Sequence, residues 1–89
     1  MNSRTTRGFR ERFARLPASA QRQAREAYRL FRGSPAHPGL HFKQVHQQPP
    51  VYSVRVGIGY RALGARDGDT VIWFWIGSHS AYDGFLAQL

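Results

Sequence analysis

The sequence predicts an α+β fold in which an N-terminal helical hairpin packs on a three- to four-stranded antiparallel twisted sheet. Two observations carry that expectation. Apolar residues recur at steps of three and four up to Gly33 and at steps of two beyond Leu40, so a helical period gives way to a strand period. The change falls at GSPAHPG, residues 33–39, a turn-rich linker, and the later half is punctuated by the tight-turn sequences GIG and RDGD.

In chain order, TRGFRERFARLP puts Phe9, Phe13 and Leu16 on one face of a short helix that Pro17 terminates. ASAQRQAREAYRLFRG follows as the stronger helix, with Ser19 as N-cap, Ala20, Ala24, Ala27, Tyr28 and Phe31 on its buried face, and Gly33 just past its end. Arg22, Arg25, Arg29 and Arg32 form a solvent-facing stripe opposite. LHFKQVH is the first predicted strand. Beyond the QQPP break, VYSVRVG is the second, with Tyr52, Val54 and Val56 toward the core and Ser53 and Arg55 on the other face. YRALGAR forms the third after the glycine turn. Past Asp67-Gly68, TVIWFWIG is the fourth, apolar on both faces. GFLAQL is expected to make one helical turn that returns Phe85 or Leu86 to the sheet. With Arg61 reaching the same side as Ser53 and Arg55, a concave polar sheet face is expected.

The 89 residues suit a single domain, 1–89. There is no cysteine, hence no disulfide framework or Cys-based zinc site, and no apolar run approaches the ~20 residues of a membrane span. The opening MNSRTTRGFRERF lacks the apolar core of a signal peptide, which makes a cytoplasmic protein the expectation. Thirteen basic against five acidic residues give a formal charge of +8, and twelve of the thirteen are arginine. Guanidinium groups grip phosphate and carboxylate with two prongs, so nucleic acid or an acidic protein segment is the implied partner.

The stretch WFWIGSHSAYD, residues 73–83, passes abruptly from apolar to polar. Gly77 ends the strand there, and His79, Tyr82 and Asp83 would overhang the sheet edge near Lys43, Arg55 and Arg61. Histidine gains and loses protons near neutral pH, tyrosine can stack on a base or move a proton, and the arginines can hold a phosphate and stabilise its developing charge. His37, His41 and His46 lack ligand spacing, so no metal or cofactor is expected. GIG lies between strands and is a hairpin turn, not a nucleotide loop. Ser78, His79 and Asp83 share one short loop without a nucleophile elbow, which argues against a hydrolase triad.

The helical hairpin ending at LFRGSP, the strand LHFKQV, the run VYSVRVGIGYRALG, the acidic turn and the closing IWFWIGSHSAYD together resemble the RelE/ParE superfamily of type II toxin-antitoxin toxins. The resemblance spans nearly the whole chain and implies a RelE-like, microbial ribonuclease-type fold. It implies a toxin that cuts mRNA on the ribosome without a metal and so blocks translation, the 2′-hydroxyl attacking the adjacent phosphate. By that resemblance, Arg61 and Arg55 are the phosphate clamp, His79 the general acid or base, Tyr82 a base-stacking or proton-transfer partner, and Lys43 an RNA contact. Ser53 stands where some nucleases of the family carry a second strand lysine. ParE-type members share the fold and inhibit DNA gyrase by binding, without a nuclease site; that is the alternative target. Either reading implies a cognate antitoxin, an acidic or amphipathic segment, and a part-exposed Trp73 or Trp75 would suit its docking.

Overall fold

The computed structural model describes residues 1–89. Five strands and three α-helices follow in the order β1 (Asn2–Thr5), α1 (Arg7–Ala14), α2 (Ala18–Gly33), β2 (Lys43–His46), β3 (Val51–Val56), β4 (Tyr60–Asp67), β5 (Thr70–Ser78) and α3 (His79–Leu86), with a short 3₁₀ turn at Pro38–Leu40. The sheet order is β1-β5-β4-β3-β2; the β2 to β5 meander is antiparallel, and β1 joins β5 in parallel. The α+β class and the helical hairpin agree with expectation. The sheet, however, is five-stranded and mixed. β1 is built from Asn2, Ser3, Arg4 and Thr5, with no apolar alternation to betray it, and its pairing with Thr70–Trp73 rests on backbone groups alone.

The chain then stays with β5. The Thr6 amide donates to the Trp73 carbonyl (3.0 Å), the Thr6 hydroxyl caps α1 by accepting from the Phe9 amide (3.1 Å), and α1 packs along β5. α2 starts directly after Pro17, so Pro17 and not Ser19 holds the cap position, and Gly33 is the last helical residue rather than the one beyond. The Gln21 side-chain amide lies over the end of α1, donating to the carbonyls of Phe13 (3.1 Å) and Leu16 (3.3 Å). That bridge fixes the hairpin.

The helices cover one sheet face. Ala27 and Phe31 meet Val54, Val56, Ala62, Val71, Trp73 and Ile76, with Phe31 edge-on to both Phe42 (5.1 Å) and Trp73 (5.3 Å). On the opposite face Val51, Leu63 and Trp75 form a second buried cluster with Tyr82 of α3, flanked by Phe85 and Leu86. α3 is thus a full two-turn helix that opens at His79, longer than the single turn expected from GFLAQL. Ser78 caps it, its hydroxyl accepting from the Ala81 amide (3.1 Å).

A bulge explains how β5 serves both faces. Leu63 pairs with Trp75 but Gly64 pairs with Trp73, leaving Phe74 as an extra residue. The inserted residue reverses the alternation, so Trp73 joins the helix-side core and Trp75 the opposite cluster. Both indoles are buried, at 5% and 4% exposure, so neither offers the part-exposed ring that would suit antitoxin docking. No helix is long and apolar enough to cross a membrane.

Gly64 makes room for this arrangement: a Cβ there would lie 2.8 Å from the Trp73 ring. Gly64→Ala should therefore destabilise the fold by about 1–3 kcal/mol through overpacking, read as a lower denaturant midpoint with unchanged slope. An unshifted midpoint would mean that the indole relaxes freely.

Candidate functional site

Four of the five predicted site residues, Arg55, Arg61, His79 and Tyr82, come from three elements at one end of the sheet. Arg55 and Arg61 face one another directly across β3 and β4, and the next residue in that row is Gly77 of β5. Their strands turn at Gly57-Ile58-Gly59, where Gly57 takes φ +60° and the Arg55 Nε donates to its carbonyl (3.0 Å). The Gly59 carbonyl accepts from the His79 amide (2.8 Å), which ties the hairpin tip to the first residue of α3. The apolar Ile58 is almost fully exposed at that tip.

α3 then delivers its side chains one turn apart. His79 stands edge-on to the Tyr82 ring (5.7 Å), and its Nδ1 lies 3.4 Å from Asp83 Oδ2. The Tyr82 ring is buried and lies beneath the Arg61 guanidinium, whose Cζ is 5.6 Å from the ring centroid. This ring is occupied from two sides, so its visible role is to seat Arg61 and His79, not to stack on a base. Lys43 is exposed and lies opposite Ser53, two residues along β3 from Arg55. Ser53 is fully buried beside Leu63 with an unpartnered hydroxyl. The sheet face is accordingly not the continuous polar concavity expected from alternation. Its middle is apolar under α3, and only the end carrying the arginines is polar.

Arg61 is the least satisfied group in the molecule. Its Nε and Nη1 are buried and meet no acceptor in the chain. Neither Arg55 nor Arg61 forms an ion pair with Asp67, Asp69 or Asp83; the three pairs present are Arg7 with Glu11, Arg29 with Glu26 and His79 with Asp83. Two like charges directly opposite on a sheet destabilise it, and sealed donors without acceptors add roughly 1–3 kcal/mol each. An arrangement of this kind suits an anion that supplies the missing acceptors.

Arg12 of α1 lies with its Cζ 5.4 Å from the Trp75 ring centroid. The sequence carries no sign of that approach, because it depends on α1 lying along β5. His37, His41 and His46 gather no metal-ligand set.

With this geometry in place, the ParE-like toxin domain family model matches residues 18–84. The chain belongs to that family. It is a toxin of the RelE/ParE superfamily. Its fold is similar to that of a RelB-RelE antitoxin-toxin complex from Methanococcus jannaschii, at 21% identity and TM-score 0.72, covering 92% of this chain and 98% of that one. It is also similar to a copper-bound mutant toxin from Helicobacter pylori, at 15% identity and TM-score 0.60, covering 91% and 97%. No curated protein matches the chain.

Arg61→Met tests the cost of the two buried, unpartnered guanidinium donors. The methionine stem keeps cover over Tyr82 while the unpaired charge and donors disappear, so this toxin should become more stable by about 1–3 kcal/mol, seen as a raised Tm. A fall in Tm would mean that Arg61 is a structural brace.

Proposed function

We propose that this toxin is a ribosome-dependent mRNA endonuclease that needs no metal and blocks translation. The observation that carries the reading is Arg61: a guanidinium with two buried, unpartnered N–H donors, opposed by Arg55 and bordered by His79. Such a cluster fits a phosphodiester. The 2′-hydroxyl of the preceding ribose attacks the phosphorus and gives up its proton, the bond to the 5′-oxygen breaks, and that oxygen takes up a proton. A 2′,3′-cyclic phosphate and a 5′-hydroxyl end result.

Arg61 and Arg55 orient the phosphate and stabilise the additional charge on its equatorial oxygens. His79 is half exposed at the mouth of the site and serves as general acid or base, with Asp83 beside its Nδ1 to orient the ring. Tyr82 positions both. Lys43 contacts RNA farther along the backbone, since it lies two rows from the arginine pair.

A cognate antitoxin holds the toxin silent in this reading, as the archaeal RelE is found with RelB. The charge of +8 favours an acidic or amphipathic segment of that partner. The cytoplasm is where the target lies.

A ParE-type toxin that inhibits DNA gyrase by binding is the second reading. It is favoured by the ParE-like family model and by Ser53, which is buried at a position where a nuclease lysine would need to reach substrate.

Primer extension on cellular messages after induced expression separates the two. The nuclease reading expects cuts within translated codons, lost with Arg61→Ala and reduced at least ~10²-fold with His79→Ala. Growth arrest with intact messages and inhibited supercoiling would establish gyrase as the target instead.

A further inference from the structure

We infer that Arg12 is a third phosphate-binding arginine, which extends the Arg55–Arg61 pair into a track for a single-stranded RNA backbone across the end of the sheet. The inference rests on the RNA reading of that site. Arg12 belongs to α1, far in sequence from the other two, and it arrives through the fold. α1 packs along β5, and the Arg12 guanidinium lies over Trp75.

The rings beneath the arginines are continuous. Trp75 and Tyr82 belong to one buried cluster, with Arg12 seated on the first and Arg61 on the second. Between them lies Gly77, the neighbour of Arg61 in the row Arg55, Arg61, Gly77. A side chain there would collide with the indole, since a Cβ would stand 2.7 and 2.8 Å from its ring carbons. Trp75 thus extends into the gap that Gly77 leaves, and the row between Arg61 and Arg12 is floored by an aromatic face rather than blocked. Strand spacing sets Arg55 and Gly77 about 10 Å apart, a span that more than one phosphate must fill.

Arg12 is free to take that part. It is exposed, its side chain makes no hydrogen bond or ion pair, and its neighbour Glu11 is already engaged by Arg7 at 3.0 Å. The cation–π contact with the indole favours this placement of the guanidinium, which lowers the entropy lost when it grips an anion. Other arginines lie against rings as well, among them Arg25 on Phe13 and Arg32 on Tyr28, but those rings belong to the helical hairpin and not to the cluster beneath Arg61.

The test is the salt dependence of binding to a short 2′-O-methyl RNA oligonucleotide, which cannot be cleaved, by fluorescence anisotropy on the full chain. One phosphate contact on a single strand contributes about 0.7 to the slope of log K against log salt. Arg12→Met, which keeps an apolar stem over Trp75, should lower the slope by about that amount with unchanged Tm, while Arg12→Lys should retain it. Arg22→Met on the exposed face of α2 removes the same charge elsewhere and should leave the slope unaltered. The inference is overturned if Arg12→Met matches wild type, if Arg22→Met has an equal effect, or if the wild-type protein does not bind the oligonucleotide. A lowered slope in a protein that leaves messages intact would uphold the track and reject the nuclease reading. Message cleavage with an Arg12-independent slope would do the reverse.

Discussion

The rest of the structure depends on β5 being buried on both faces. Val71, Trp73 and Ile76 enter the core under the helical hairpin, and one bulged residue later Trp75 points the other way. A strand with an indole on each side cannot leave either to solvent. The hairpin satisfies one, and α3 must satisfy the other. Burial of each indole is worth several kcal/mol at roughly 25 cal/mol per Å² of apolar surface. The end of the chain is therefore drawn back over the sheet by hydrophobic demand. His79, Tyr82 and Asp83 arrive beside Arg61 as a consequence, because the first turn of α3 follows β5 without a linker.

That dependence joins stability to chemistry. Tyr82 is a core residue by its contacts with Val51, Leu63 and Trp75, and it is also the platform under Arg61. Ordinarily buried guanidinium donors are matched by an acceptor, since an unsatisfied buried N–H is costly. Here the molecule has five acidic side chains and sends none to Arg61. Asp67 and Asp69 lie at the other end of β4, some six residues or about 20 Å away along the strand.

Legibility in the sequence follows side-chain periodicity. The helical hairpin and the β2 to β5 meander are written in spacings of Phe, Ala and Val, and the two hairpins in their glycines, so those elements are readable. β1 is not, because Asn2 to Thr5 contribute backbone hydrogen bonds and no buried side chain apart from part of Ser3. The bulge at Phe74 is equally hidden: an unbroken apolar run gives no phase from which a slip could be noticed. At the site, the alternation of Ser53, Arg55 and Arg61 puts them on one face, as the register does. What alternation cannot convey is which part of that face another element covers. For that reason Ser53 reads as polar surface although it is fully buried, and nothing in the spacing marks Arg12.

The arginines then divide by what meets them. Arg7 and Arg29 pair with helix glutamates, Arg10 bonds the Thr5 carbonyl and hydroxyl, and Arg66 bonds the Gly68 carbonyl. These are local bonds on exposed surface, and they contribute little to stability. Arg12, Arg55 and Arg61, like Arg10 and Arg66, meet no carboxylate; what sets them apart is position, with Arg55 and Arg61 in one row with Gly77 and Arg12 over Trp75. Beside them the amino end of α3 adds a further positive pole. Charge is thereby concentrated at one end of the sheet, while its opposite end carries the acidic turn at Asp67 and Asp69. A polyanion meeting this molecule encounters a directional field, and the favoured landing place is the end where preorganised donors are already without partners.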